Sequence, residues 1–150
     1  MADPTIYEWG GGRDAFARWL NRFYDLVEGE PSIARLFGGT VSEAHREHVT
    51  DWWCEVMGGP ARYTDERGGY EHMLAKHHDL AITDEQRLLF VTLLSRAADD
   101  AGLPADPEFR AALHDYMRWA VDDVLAYSPQ GAVVPGAAAM PRWGWDGLKA

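Results

Sequence analysis

The sequence predicts an all-α fold, and three of its features carry that expectation. Apolar residues recur at steps of three and four through long stretches. No stretch shows the apolar-polar alternation of a strand, and no internal repeat is visible. Glycine and proline fall between the periodic segments, where they interrupt helices.

Ile6, Tyr7 and Trp9 form a short aromatic opening before Gly10, Gly11 and Gly12 break the chain. Behind the break, Phe16, Trp19, Leu20, Phe23, Tyr24 and Val27 draw one apolar stripe on a helix from about Arg13 to Glu28, which Gly29 and Pro31 end. Ser32 to Phe37 is long enough for a turn or two of helix before Gly38 and Gly39. Ser42 is the expected N-cap of the next helix, on which His45, Val49, Trp52 and Val56 share a face with His48 and Trp53 beside it. Gly58-Gly59-Pro60 stops that helix.

From Ala61 to Gly69 the chain turns polar and glycine-containing, which predicts a mobile loop carrying Tyr63, followed by a short helix with Met73, Leu74 and His77. Thr83 and Gln86 make a capping box for a helix whose Leu89, Phe90, Leu93, Leu94 and Ala97 face inward. Asp106 before Pro107 marks the start of the longest helix, with Phe109, Leu113, Tyr116, Met117, Ala120, Val124 and Leu125 as its stripe. Helical periodicity fades beyond Ser128. Residues 1–128 are therefore expected as one domain and 129–150 as an irregular tail that Trp143 and Trp145 could pin to the body. Four substantial helices with a long connection from Gly58 to Thr83 do not make a tight up-down bundle. A bound cofactor would fill the gap that the connection leaves.

With 47% hydrophobic and 12% aromatic residues, 150 residues suffice for a single full core. A net charge of −10, from 24 acidic against 14 basic side chains, repels phosphate backbones and sets nucleic acid and anionic membranes aside. The single cysteine, Cys54, cannot form an internal disulfide, and the amino end lacks a basic region followed by an apolar signal core. No apolar run approaches the ~20 residues of a bilayer-spanning helix. A soluble protein of the reducing cytoplasm is expected.

The chemistry rests on six histidines, His45, His48, His72, His77, His78 and His114. A solitary histidine on a helix is usually a satisfied polar residue. His45-x-x-His48 does not by itself make a zinc site without cysteine pairs or a His-Glu-x-x-His sequence. Phosphate-loop, dinucleotide and Gly-x-Ser-x-Gly patterns are missing, so kinase, dehydrogenase and hydrolase readings fall away. No Cys-x-x-Cys-His is present, which excludes covalent haem attachment and leaves noncovalent haem with an axial histidine open.

Tyr7-Glu8-Trp9-Gly10-Gly11-Gly12, Arg22-Phe23-Tyr24, Phe37, His45-x-x-His48-Val49, Gly58-Gly59-Pro60-x-x-Tyr63, Gly68-Gly69, Lys76-His77, Ile82 and Phe90 fall in an order and spacing that resembles the group II truncated haemoglobins. The resemblance covers about residues 4 to 128. It implies a compressed globin, a two-over-two helical sandwich around haem b (iron protoporphyrin IX). It further implies His77 as the axial iron ligand, five positions before Ile82 and directly after Lys76, which would reach a haem propionate. His78 is the competitor, but the spacing to Ile82 and Phe90 selects His77, four residues after Met73. Tyr24 corresponds to the distal tyrosine, Phe37 to the residue packed on the porphyrin face and Val49 to the distal cavity wall. Tyr63, Met73 and Ile82 join the cofactor-binding set. Where the family usually has tryptophan this chain has Phe90, which cannot donate a hydrogen bond. His45 stands at the distal gate, where it could replace that donor, and His48 points to a propionate or to solvent.

The function implied is reversible binding of oxygen and of other diatomic gases, nitric oxide and carbon monoxide, for transport or sensing. The alternative is an enzyme that oxidises nitric oxide to nitrate or turns over peroxide with electrons from an external reductase, since the chain has no flavin or nicotinamide domain of its own. The resemblance allows a monomer or a homodimer.

Overall fold

The computed structural model describes residues 4–67, 82–125 (backbone only from 121) and 141–149. The expected short helix with Met73, Leu74 and His77 lies outside the described residues. The remaining segments form seven α-helices and one small hairpin.

Helix α1 (Ile6–Trp9) is nucleated by a capping box. Thr5 Oγ1 accepts from the Glu8 amide at 3.0 Å, and the Glu8 carboxylate accepts from the Thr5 amide at 3.2 Å. Helix α2 (Gly12–Glu28) buries the whole expected stripe, from Phe16 to Val27. A short α3 (Pro31–Ala34) runs into a 3-10 turn at Arg35–Phe37. Ser42 caps α4 (Glu43–Val56) by accepting from the His45 amide at 3.1 Å.

Two close approaches at the end of α4 require glycine. Gly58 has φ +104°, and a Cβ there would stand 2.8 Å from Thr5 Cβ; one on Gly59 would stand 2.7 Å from the Cys54 carbonyl oxygen and 2.9 Å from the Tyr7 ring. The two glycines thus let the end of α4 close against α1, where the Tyr7 amide donates to the Met57 carbonyl at 3.0 Å.

The reading of Ala61 to Gly69 as a mobile loop needs correction over part of its length, because Arg62–Arg67 form helix α5. Composition concealed it. The residues are polar, but Arg62 and Glu66 pair one turn apart at 3.1 Å, and Tyr63 is buried against Trp52.

Helix α6 (Asp84–Asp100) opens with the expected Thr83–Gln86 capping box, and α7 (Pro107–Leu125) starts where Asp106 Oδ2 accepts from the Phe109 amide at 3.1 Å. On α6, Leu93, Leu94 and Ala97 are buried as expected, whereas Leu89 and Phe90 are only half-buried against the core. Helix α2 packs on both α4 and α6, and α6 packs on α7, so two helix pairs lie one over the other in the two-over-two arrangement.

An aromatic column fills the centre. Trp19 of α2 sits edge-on to Trp53 of α4 at 4.7 Å, Trp53 meets Tyr116 of α7 at 4.9 Å, and Trp19 Nε1 donates to the Leu94 carbonyl of α6 at 2.9 Å.

Within the tail expected to be irregular, residues 141–149 hold an antiparallel hairpin of β1 (Trp143–Gly144) and β2 (Gly147–Leu148). Two-residue strands are too short to show a period of two, which is why no strand pattern marks them. Trp143 and Trp145 do attach this segment to the body, through Nε1 donation to the Ala112 carbonyl at 3.1 Å and to the Pro4 carbonyl at 2.9 Å.

Candidate functional site

Tyr24 lies on the inward face of α2, where the stripe of apolar residues carries it into the core at 5% exposure. Burial pushes its phenol well above the ordinary value near 10, and Arg46, whose guanidinium stands 5.9 Å from the ring centre, pulls it only part of the way back. Arg46 is itself held by Asp25 at 2.8 Å and Glu28 at 3.2 Å. The hydroxyl therefore keeps its proton and remains a hydrogen-bond donor.

His45, in the first turn of α4, brings Nε2 to 3.3 Å from the Tyr24 hydroxyl. Phe37, delivered by the 3-10 turn, closes a triangle of rings, 5.7 Å from Tyr24 and 5.3 Å from His45. Phe90 reaches this group through Phe23, which lies 6.2 Å from Phe90 and 4.8 Å from Tyr24. Val49 stands one turn beyond His45 on α4 and Ile82 just before α6; both are half-buried against the core. The structure thus gathers Tyr24, Phe37 and His45 into one contact group, with Phe90 one ring away. Tyr63, on α5, packs against Trp52 at 5.2 Å. His48 is half-buried on α4. Met73, Lys76, His77 and the competitor His78 lie outside the described residues.

Chemically, the triangle offers one phenolic donor and one imidazole in a wall that is otherwise aromatic and aliphatic. Such a wall suits a small ligand that accepts one or two hydrogen bonds. Among the described residues, no group of three or more His, Cys, Asp or Glu could hold a metal ion.

Sequence reasoning missed two buried acids on α4. Asp51 is paired with Arg13 and stands 3.8 Å from Arg62. Glu55 accepts from the amide and hydroxyl of Thr64 and faces Arg142 at 3.4 Å. Their signal was the spacing of four between two acids amid Trp52, Trp53 and Val56, which puts both carboxylates on one buried face. Cys54, between them, has its thiol pushed up to about 12, mainly by burial, with Arg13 opposing and Asp51 adding to the rise. It stays a protonated thiol and no nucleophile.

The sequence model of the bacterial-like globin family matches residues 5–124, stopping before the C-terminal hairpin. Group 2 truncated hemoglobin YjbI of Bacillus subtilis is 25% identical over 95 residues, which is 63% of this chain and 70% of that protein. The solved hemoglobin of Chloroflexus aurantiacus superposes with a TM-score of 0.72 at 30% identity, covering 82% of this chain and 98% of its own. The group II truncated hemoglobin of Bacillus anthracis shares the fold, with a TM-score of 0.75 at 21% identity over 89% of this chain and all of that one (100%). Taken with the helix pairs and the Tyr24–His45 group, these matches show that the chain belongs to the bacterial-like globin family and is similar to group II truncated haemoglobins within it.

Proposed function

We propose that the protein holds haem b and reversibly binds oxygen and other diatomic gases, with His77 as the axial ligand. Membership of the globin family carries haem-based ligand binding as such. The observation that supports the finer reading is the buried Tyr24 hydroxyl beside His45, a neutral donor set in an aromatic wall. The residues present fit the group, since Phe37, Val49, Ile82, Leu89 and Phe90 are apolar side chains left half-buried, as positions bordering a flat apolar cofactor would be.

Haem b, held through His77, would supply an iron atom able to bind a diatomic gas reversibly. Tyr24, which keeps its proton, would donate a hydrogen bond to a diatomic ligand in the site and so stabilise partial negative charge on it. His45 shares that hydroxyl and supplies the second polar contact that Phe90 lacks. Phe37 and Val49 exclude water, Lys76 and His48 meet the propionates, and Tyr63, Met73 and Ile82 complete the apolar surround. We place the protein in the cytoplasm, as a monomer or homodimer, with re-reduction left to a separate reductase. No helix among the described residues is long and apolar enough to cross a membrane.

Two variants of the haem-loaded protein test this reading. Tyr24→Phe keeps the ring and removes the donor, so oxygen dissociation is expected to quicken by about ten- to a hundredfold, the worth of a hydrogen bond to a charged partner. His77→Ala is expected to lose the haem or leave its iron without a protein ligand, as read in the visible spectrum, while His78→Ala leaves that spectrum nearly intact. An unchanged oxygen off-rate in Tyr24→Phe would make Tyr24 plain core packing. Rapid consumption of nitric oxide by the oxygenated protein, with equally rapid re-reduction in cell extract, would turn the reading from carrier to nitric oxide dioxygenase.

A further inference from the structure

Arg142 and Trp143, neighbours in the C-terminal hairpin segment, reach the neighbours Tyr63 and Thr64 of α5 by two routes, the first through the buried Glu55 and the second through buried aromatic rings. Along the first, Arg142 stands 3.4 Å from the Glu55 carboxylate and donates to the Glu55 carbonyl at 3.2 Å. The same carboxylate, fully buried, accepts from the Thr64 amide at 2.8 Å and from the Thr64 hydroxyl. Along the second, the Trp143 ring lies 5.3 Å from Tyr116, whose hydroxyl accepts from Trp52 Nε1 at 3.0 Å, and Trp52 meets Tyr63 edge-on at 5.2 Å.

The physical chemistry makes the first route selective. A carboxylate out of water must be paired and hydrogen-bonded, and here the charge comes from the hairpin while the hydrogen bonds come from α5. Glu55 therefore holds Thr64 in the place where Arg142 also holds Glu55. Asp51, one turn earlier on α4, ties α5 a second time through Arg62. Two of the three intermediaries, Glu55 and Trp52, stand on α4, the helix that carries His45 and Val49, and the third, Tyr116, stands on α7.

We propose that Arg142 and Trp143 are positioning residues of the ligand site, acting through Glu55 and through Tyr116 and Trp52 to set α5 against α4. The inference rests on the haem-binding reading above and adds to it a segment that lies beyond the family match at 5–124. It makes the hairpin part of the working protein rather than an appendage.

Amide hydrogen exchange and the carbon monoxide stretching band, measured on the full chain loaded with haem, test it. In R142A the Thr64 amide is expected to exchange about tenfold faster or more, with the amides of α2 and α6 unchanged. The stretching band is expected to broaden or split, a change that a purely structural tie would not produce, and R142K is expected to restore both readouts in part. Unchanged Thr64 exchange in R142A overturns the proposal, and so does faster exchange with an unaltered band. Should R142A fail to fold, T64V removes one donor from the same carboxylate, and the same band decides. A chain that takes up no haem overturns the underlying functional reading, which is distinct from a chain that binds haem normally and ignores R142A.

Discussion

Tyr24 acts in one sense only. With its phenol pushed up by burial it donates and does not ionise, so a ligand near it meets a proton at every physiological pH. Phe90, one ring away through Phe23, has no donor to add. Phe90→Trp restores an indole N–H, and it is expected to slow oxygen release by several-fold to about tenfold, one neutral hydrogen bond's worth, as read by stopped flow. No change in that rate would mean that position 90 does not face the ligand. Cys54 works in the opposite direction, as a liability at high pH. Its folded value, about 12, exceeds its ordinary value of 9.0, so the unfolded chain loses the thiol proton first. The stability that the buried thiol contributes is complete below about pH 9 and is lost as pH rises toward 12. Cys54→Ala is expected to shallow the alkaline fall in urea midpoint over that window; equal slopes in the two proteins would assign the fall to other groups.

At the scale of elements, caps and buried polar groups decide which helices form and where they sit. Thr83 and Gln86 satisfy each other's backbone amides at the start of α6, but Gln86 does more. Buried, it also donates from Nε2 to the Ser32 carbonyl at 2.8 Å, tying α6 to α3. Thr83→Ala is expected to cost about 1 kcal/mol in chemical denaturation, and Gln86→Ala more, because it also removes the hydrogen bond that ties α6 to the Ser32 carbonyl of α3. Equal losses would mean that the Ser32 contact contributes nothing. Helix α4 shows the same logic more strongly. Its second half, Thr50 to Val56, is buried on every side, and Asp51 and Glu55 are tolerated there only because arginines and Thr64 converge on them.

Across the whole molecule, the column Trp19–Trp53–Tyr116 with the Leu94 carbonyl joins one residue from each of the four long helices. Trp53→Ala is expected to remove about 3–5 kcal/mol, a large part of the ~5–15 kcal/mol that holds a domain of this size. Urea unfolding measures it, and a loss under about 1 kcal/mol would show that the helix pairs are held elsewhere. Local rules made much of this architecture legible in the sequence by itself. The stripe on α2, the Ser42 and Thr83 caps, the Asp106-Pro107 start and the glycine stop after α4 all act within about four residues, so reading neighbours along the chain was enough. Tertiary structure alone decided that Arg62–Arg67 is helical, that Asp51 and Glu55 are buried, that a hairpin at Trp143–Leu148 seats on α7, and that Phe37 and His45 meet Tyr24. Each of these depends on a partner on another element: Trp52 and Glu55 for α5, three arginines for the acids, Ala112 for Trp143 and α2 for His45. Periodicity and capping see one helix at a time, and only packing brings such partners within reach.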